Sequence, residues 1–437
     1  MPLTFVLPIA MVAFSPAVQT EPKETPIRLN VQQMAAPKPA LRYLLLPELK
    51  EMTPGNPVEG YFKCLLDQDL SAEKEVFGNA ALRQVDRAAR MDKPDWQMRL
   101  AKTNEIGLSD SDVFKLLALA KGLQNRFRIE VAQRRFDDAI VTAKTMFAMS
   151  RHMGEHPRLI GNLVGVAIAQ MAIGQLQEML EQPGCPNLYW ALTNLPSPLV
   201  SLDRSMSGLR AEFQNELRDL DDTAPMTPAQ LKKLIAHIDQ MRDLTQAPSK
   251  EKTQAWLETR TKDSALVVAA RSRLVEYGIP EERSLKFPAE QLILLDEKRA
   301  FEVHRDEFMK LMRFAPWQIE EQAARIAQTK DELLFAHGVH LASLLKYRRD
   351  QAVHEQRFAL LQHVEALRMY AAEHKGQLPE KLTDIVVLLP VDPFTGKPFR
   401  YTLEGATAHI RCNQTPGGEK IAAFNLHYEI TISSRGK

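Results

Sequence analysis

Apolar residues recur at three- and four-residue intervals over most of the chain between residues 41 and 375, and no other feature limits the fold as strongly. Residues 112–136 (DVFKLLALAKGLQNRFRIEVAQRRF) and 158–182 (RLIGNLVGVAIAQMAIGQLQEMLEQ) show the pattern. Because an α-helix turns about once every 3.6 residues, this spacing gives each helix one apolar face that must pack against another helix. The second segment is apolar nearly all round, so we expect it to be a central, buried helix. The sequence therefore predicts a mainly α protein of packed helical hairpins.

Two local patterns mark boundaries within this helical part. Residues 227–230 (TPAQ) form a capping-box sequence with proline at the first helical position. Residues 182–198 (QPGCPNLYWALTNLPSP) contain several prolines and interrupt the helical spacing. We therefore expect an N-terminal helical region at 41–181 and a second helical region at 199–350.

A degenerate helical repeat is one interpretation of the first region. Residues 134–140 (RRFDDAI) look like the turn and second-helix start of a tetratricopeptide unit, and residues 174–180 (GQLQEML) resemble them more faintly. Phe136 and Leu176, the matching positions, are 40 residues apart, whereas a tetratricopeptide array repeats about every 34 residues. Generic helical hairpins and a degenerate repeat scaffold both remain open at this stage.

The C-terminal residues 351–437 predict a small α+β unit. Apolar residues form one stripe along 351–375, which predicts a helix with Gly376 as its C-terminal cap. In the next patterned stretch, VDPFTGKPFRYTLEG (391–405), Asp392 is followed directly by proline. An aspartate accepts backbone hydrogen bonds and a proline presets φ, so we predict a structural turn here.

A hairpin and a third strand follow that turn. With Glu404 and Gly405 as a two-residue loop, apolar residues meet apolar residues across the strands, and Arg400 falls opposite His409. Residues 424–432 (FNLHYEITI) alternate strictly between apolar and polar or small side chains. We therefore expect one helix covering a three-stranded antiparallel sheet.

This unit resembles the globular half of type II secretion pseudopilins. The resemblance rests on residues 369–385 (MYAAEHKGQLPEKLTDI) and 390–401 (PVDPFTGKPFRY), between a helix and a hairpin, and it covers residues 358–412. It implies a helix-on-sheet unit that docks on a partner. However, the residues before the helix are amphipathic and internal, whereas a pseudopilin helix begins as a membrane-spanning segment. No acidic cluster follows Tyr401, so neither a pilus-subunit role nor that family's calcium ligands carry over.

A second resemblance covers most of the chain. Residues 41–61 (LRYLLLPELKEMTPGNPVEGY), 134–152 (RRFDDAIVTAKTMFAMSRH) and 185–196 (CPNLYWALTNLP) resemble long uncharacterised exported proteins of planctomycete-type bacteria. That group carries no activity that could be transferred to this chain.

The N-terminus carries a candidate signal peptide at 1–17. Residues 3–14 (LTFVLPIAMVAF) have the length of a secretory apolar region, and small residues precede a cleavage position before Val18. The first basic residue is Lys23, so either the true start lies upstream or the segment is not a signal. We expect a linker at 18–40 and a periplasmic or envelope location if the signal is real, and a cytoplasmic location otherwise.

Composition argues against several partners. The chain has 56 Lys and Arg against 55 Asp and Glu, a net charge of +1, which gives no electrostatic case for nucleic acid. No stretch after the candidate signal is apolar for long enough to span a membrane, so we expect no integral span in the mature chain.

The three cysteines, Cys64, Cys185 and Cys412, have no disulfide or metal-ligand spacing, and we expect buried thiols. Another envelope protein is the expected partner.

One short motif suggests metal chemistry. His152, Glu155 and His156 fit the H-x-x-E-H pattern of inverted zinc peptidases, in which two histidines on a helix bind one metal beside a catalytic glutamate. Pro157 disfavours helix at His156, and Gly154 weakens the same turn. We therefore expect a solvated helix end, where the two imidazoles need not share a face.

Other candidate residues carry weaker patterns. His337 and His340 are three positions apart on a helix face but lack a third ligand at motif spacing. Within 286–312, Glu302 follows Lys298 by four positions and Asp306 precedes Lys310 by four, which predicts a solvated ion-pair face. No phosphate-binding loop and no nucleophile elbow is found, so we predict no cofactor and assign no catalytic or metal-binding residue.

Two functions from different classes follow. The first is a non-enzymatic helical scaffold or binding protein of the cell envelope, which docks through its C-terminal unit. The alternative is a zinc-dependent hydrolase that uses His152, Glu155 and His156. Fold class cannot choose between them, because function resides in sites.

Overall fold

The structure, a computed structural model, describes residues 26–66, 79–97, 110–244, 252–328, 334–335, 341–414 and 421–433. The candidate signal peptide, His337 and His340 lie outside these residues. Within the described part, the helices are α1 (Pro57–Leu66), α2 (Asn79–Ala88), α3 (Asp110–Ala132), α4 (Phe136–Gly154), α5 (Leu159–Leu180), α6 (Tyr189–Thr193), α7 (Asp203–Glu216), α8 (Pro228–Leu244), α9 (Thr253–Thr261), α10 (Ser264–Glu276), α11 (Glu281–Ser284), α12 (Ala289–Met309), α13 (Pro316–Gln328) and α14 (Leu341–Glu373). Helices dominate, which confirms the mainly α prediction.

The described chain divides into two compact units. The larger unit takes described residues from 26 to 211, 315 to 317 and 349 to 433, and the smaller unit takes those from 212 to 314 and 318 to 348. One apolar core in the larger unit joins side chains of α1 to α6 and α14 with those of the sheet. The predicted N-terminal helical region and the predicted C-terminal unit therefore share a core. The proline-rich residues 182–198 do not separate two units, because α6 forms within them and packs Tyr189 into that core.

Helix α5 is the buried helix that the sequence predicts. It packs against both α3 and α4, and Val164, Ile168 and Leu176 are at most 1% exposed. Among the described residues it is the one helix with the length and composition of a membrane span, and 56% of its most apolar stretch is buried by the protein itself. Packing against its neighbours accounts for its apolar composition.

The sheet has four strands and mixed direction, which corrects the predicted three-stranded antiparallel sheet. The strands are β1 (Ile27–Gln32), β2 (Arg400–Glu404), β3 (Thr407–Arg411) and β4 (His427–Ser433), in the order β1-β4-β3-β2. β1 is parallel to β4, and the other neighbours are antiparallel. The predicted linker at 18–40 therefore contains a strand. Its sequence, IRLNVQ, alternates apolar and polar residues, and Leu29 and Val31 enter the core.

The hairpin register differs from the predicted one by two residues. Gly405 and Ala406 form the loop, so Tyr401 pairs with Ile410 and Leu403 with Ala408. Gly405 has φ +61°, as the first central residue of a type II′ turn requires, and glycine adopts this conformation at little cost. Because side chains alternate with a period of two, the shift leaves the predicted apolar face unchanged.

The stretch 391–397 is the structural turn that the sequence predicts, and Asp392 is its centre. The Asp392 side chain is fully buried and accepts hydrogen bonds from Phe394 N (3.0 Å), Asn413 N (2.9 Å) and Gln356 Nε2 (3.1 Å). The carboxylate thus joins the turn, the residues after β3, and α14. Gly396 donates its N–H to Asp392 O at 2.8 Å.

A fully buried ion pair links distant parts of the larger unit. On α14, Arg368 Nη1 lies 2.8 Å from Glu365 Oε2, and both side chains are 0% exposed. Arg368 also donates to the carbonyl oxygens of Gln32 (2.9 Å) and Cys185 (2.7 Å), and Glu365 accepts from Leu188 N (2.9 Å). Such a pair is tolerated inside a protein because its polar atoms have partners.

The three cysteines are free and buried, as predicted: Cys64, Cys185 and Cys412. Burial raises the pKa of Cys185 to about 12. Its thiol therefore stays protonated at neutral pH, which removes the thiolate that nucleophilic or metal-binding chemistry requires.

The smaller unit begins α8 with the predicted capping box. Thr227 Oγ1 accepts from Gln230 N at 3.3 Å, and Gln230 Oε1 accepts from Thr227 N at 2.8 Å. These two bonds satisfy backbone donors that a helix N-terminus leaves without intrahelical partners.

Helix α12 carries ion pairs, but the partners are closer in sequence than the predicted spacing of four residues. Glu302 pairs with Arg299 (2.8 Å) and Asp306 with Arg305 (2.8 Å). The face is only partly solvated, because the Arg305 side chain is 1% exposed and its guanidinium lies 5.5 Å from the Phe213 ring centroid.

Gly396 offers a test of the turn. It has φ +66°, and a Cβ there would lie 2.7 Å from the Trp317 ring. We expect Gly396→Ala to lower the free energy of unfolding by more than the roughly 1–2 kcal/mol that a left-handed residue costs alone, measured by urea denaturation. Gly376→Ala is the matched control, because Gly376 has φ +87° and only an ordinary contact, 3.5 Å to Gln33. Equal losses for the two variants would contradict the packing of Trp317 on this turn.

Candidate functional site

The H-x-x-E-H motif lies at a helix end, as predicted, but its first histidine is buried. Helix α4 ends at Gly154, and His152 points into the larger unit, 9% exposed. The Tyr61 hydroxyl lies 2.9 Å from His152 Nδ1, and Trp96 Nε1 donates to the His152 carbonyl at 3.2 Å. Burial lowers the pKa of His152 to about 4, so the ring is neutral at pH 7. Burial also raises the pKa of Tyr61, so its hydroxyl stays protonated at neutral pH.

The other two motif residues have different surroundings. His156 is 0% exposed, and its Nδ1 accepts from Arg158 N at 3.1 Å. Its ring meets the Trp96 ring edge-on at 4.6 Å. Glu155 is exposed at the helix cap. The predicted solvated helix end is therefore wrong for both histidines, and the motif residues do not bring three ligand atoms together in the part of the chain that the structure describes.

A small open cavity lies beside His152. It encloses about 220 Å³, and Leu46, Leu49, Met52 and Arg151 are among its lining residues. Its lining combines apolar side chains with one cationic side chain and the neutral His152 ring. Among the described residues, no carboxylate lines it to act as an acid or base beside His152.

The strand register brings two histidines and a glutamate together on the polar face of the sheet. His409 on β3 lies opposite Glu429 on β4, and its partner on β2 is Thr402 instead of the predicted Arg400. His409 Nδ1 is 3.1 Å from His427 Nε2 and 3.9 Å from Glu429 Oε1. His409 and His427 are only 8% and 7% exposed. Imidazole nitrogens and carboxylate oxygens are ligands for divalent transition metals, so these three residues could hold one.

Two further charged side chains border this cluster. Arg28 Nε on β1 donates to Glu429 Oε2 at 2.9 Å, and this hydrogen bond holds the pKa of Glu429 below its usual range. Glu404 Oε2 lies 3.6 Å from His409 Nε2, at the other nitrogen of the ring. Glu429 is therefore ionised at neutral pH, and His409 has a carboxylate near each of its nitrogens.

Sequence reasoning missed this cluster. His409 lies on a different strand from His427 and Glu429, and only the pairing of β3 with β4 brings the three together. The sequence offers one partial indication of the cluster, the His-x-Glu at 427–429, because residues two apart on a strand point to the same face.

A short segment before the turn, outside the helices and strands, exposes aliphatic side chains. Ile385 is 9% exposed, and Val387 and Leu389 pack against the core of the larger unit. Val386 and Leu388, which alternate with them, are 96% and 91% exposed. Alternation of this kind is ordinary for a half-buried extended segment, but its outward residues are usually polar. This segment is therefore a candidate interaction surface.

No protein-family model, no curated protein and no solved structure matches this chain. The resemblances to pseudopilins and to exported planctomycete-type proteins therefore stay predictions from the sequence.

Buried histidines predict a loss of stability in mild acid. The pKa of His152, His354 and His363, all in the larger unit, is lowered to about 4, chiefly by burial. The usual pKa of about 6.5 applies once the chain unfolds, so between pH 6.5 and 4 the unfolded state binds more protons. Stability is therefore present above pH 6.5 and falls with pH, by about 2 kcal/mol per histidine at pH 5.

Urea unfolding at pH 7.5 and pH 5.0 tests this expectation. His363→Leu should reduce the difference between the two free energies of unfolding, because one buried imidazole no longer titrates. His374→Leu is the control for removing a histidine elsewhere in the larger unit, because the exposed His374 ring stacks on Tyr370. The same difference in wild type and His363→Leu would contradict the role of burial.

Proposed function

We propose that this chain is a non-enzymatic helical scaffold or binding protein of the cell envelope, which binds a protein partner through residues 385–389. The outward position of Val386 and Leu388 carries the proposal, because both are more than nine-tenths exposed. Burying an aliphatic side chain of this size contributes about 1.5–3 kcal/mol. A partner that covers both side chains would therefore gain a useful part of its binding energy from two residues.

The segment is held in place before any partner arrives. Ile385, Val387 and Leu389 face the core, and the Tyr189 hydroxyl donates to the Leu388 carbonyl. A pre-ordered segment loses little conformational entropy on binding, which favours affinity. Such anchoring suits a docking surface better than an arbitrary surface loop.

An envelope location and an envelope partner are part of this proposal. The apolar residues 3–14 support export, and residues 369–385 and 390–401, which resemble pseudopilins, flank the exposed segment. The expected partner is therefore another protein of the cell envelope.

No specific observation favours the zinc-hydrolase alternative. His152 contacts Tyr61 and Trp96, His156 packs on Trp96, and Glu155 is exposed. The motif carries no part of the function proposed here.

Crosslinking from the exposed segment tests the proposal. A photoreactive amino acid at position 386 of the full chain, expressed in its own cells, should give one main crosslinked product in the envelope fraction, identified by peptide mass spectrometry. Leu388→Asp in the same chain should lower its yield at least about tenfold, because a charge replaces a buried aliphatic contact. Leu49→Asp is the matched control, since Leu49 is also 91% exposed in the larger unit. An unchanged yield with Leu388→Asp would contradict docking through this segment.

A further inference from the structure

We propose that His409, His427 and Glu429 form a binding site for a divalent transition metal of the zinc class, on the polar face of the sheet. The site goes beyond the proposed scaffold function and shares no residue with the segment 385–389. A metal there would join β3 to β4.

The distances suit such an ion. Two ligand atoms bound to one tetrahedral zinc at about 2.0–2.1 Å lie roughly 3.3–3.4 Å apart. His409 Nδ1 and His427 Nε2 are 3.1 Å apart, so the two rings already lie close to this separation. Glu429 Oε1 is 3.9 Å from His409 Nδ1, and its side chain is 22% exposed, so a small rotation brings the carboxylate into place.

A hydrogen bond between the two imidazoles is the competing explanation for the 3.1 Å distance. The two explanations differ in what added zinc does. A hydrogen-bonded pair of rings keeps this arrangement without taking up zinc, whereas a metal site binds one equivalent with Glu429 as the third ligand.

The surrounding residues resemble those that support metal ligands elsewhere. A histidine ligand usually has a carboxylate or carbonyl at its second nitrogen, which orients the ring. Glu404 has this position relative to His409, 3.6 Å from Nε2. Arg28 binds Glu429 Oε2 at 2.9 Å and thereby fixes one carboxylate oxygen, which leaves Oε1 for the metal.

The donor set selects the class of metal. Two imidazole nitrogens and one carboxylate oxygen suit zinc and the later first-row divalent ions. Calcium needs about 6–8 oxygen ligands and magnesium prefers an octahedral oxygen shell, so neither fits this set. Three protein ligands leave a fourth position of a tetrahedral ion for water or for a ligand from another molecule.

Zinc binding to the purified full chain tests the site directly. After removal of metals with a chelator, zinc chloride is titrated in competition with a chromophoric zinc indicator. We expect one equivalent to bind, with affinity lowered more than about 100-fold in His409→Gln and His427→Gln and at least about tenfold in Glu429→Gln. His237→Gln is the matched control, because His237 Nε2 lies 2.9 Å from Glu216 in the smaller unit. That variant should bind zinc like the wild type.

A second measurement separates loss of the site from loss of the fold. Glu429 is partly exposed, so Glu429→Gln should keep the wild-type circular dichroism while losing the rise in melting temperature that zinc gives the wild type. Three results would overturn the proposal: no stoichiometric zinc in the wild type, wild-type affinity in all three cluster variants, or loss of zinc in His152→Gln alone. The last would move the site to the H-x-x-E-H motif.

Discussion

The larger unit depends on the buried ion pair between Glu365 and Arg368 on α14. Both side chains are 0% exposed, and taking each charge out of water costs several kcal/mol unless its polar atoms find partners. Those partners include the backbone of Gln32, Cys185 and Leu188 and the side chain of Asn187. Because these residues are far apart in sequence, the pair is fully satisfied only when β1, the proline-rich segment and α14 have assembled. A locally folded α14 would leave two charges without their backbone partners.

The same interaction places both proposed sites. Gln32 ends β1, so its bond to Arg368 attaches β1 to α14, and β1, which pairs with β4, supplies the arginine that binds Glu429 on the polar face of the sheet. Leu188 donates to Glu365, and the next residue, Tyr189, holds the Leu388 carbonyl beneath the exposed segment. Metal binding and docking are therefore separate proposals that rest on one scaffold.

Local chemistry accounts for what the sequence could predict. Helical periodicity identified α5 as buried, and turn chemistry identified Asp392 as structural, because each depends on residues close in sequence. The pairing of β1 with β4 joins residues about 400 positions apart, so the alternation in IRLNVQ did not indicate which strand it would pair with. The predicted hairpin register was wrong for a different reason. A shift of two residues keeps the same side chains on the apolar face, so the apolar pattern does not distinguish a loop at Glu404 and Gly405 from one at Gly405 and Ala406. The cluster of His409, His427 and Glu429 is a cross-strand arrangement, which only the register reveals.

The dependence of the larger unit on the ion pair is tested most directly by replacing its members singly and together. The free energy of unfolding would be measured for Arg368→Met, Glu365→Leu and the double variant. Hydrogen exchange would be followed at the Met34 amide in the same variants, because this amide donates to the Arg368 carbonyl at 3.1 Å. We expect each single replacement to cost about 3–5 kcal/mol, because it leaves one buried charge alone, and the double replacement to cost less than their sum. The Met34 amide should lose protection in the single variants. Single replacements that cost under about 0.5 kcal/mol and leave this protection intact would contradict the central role of the pair.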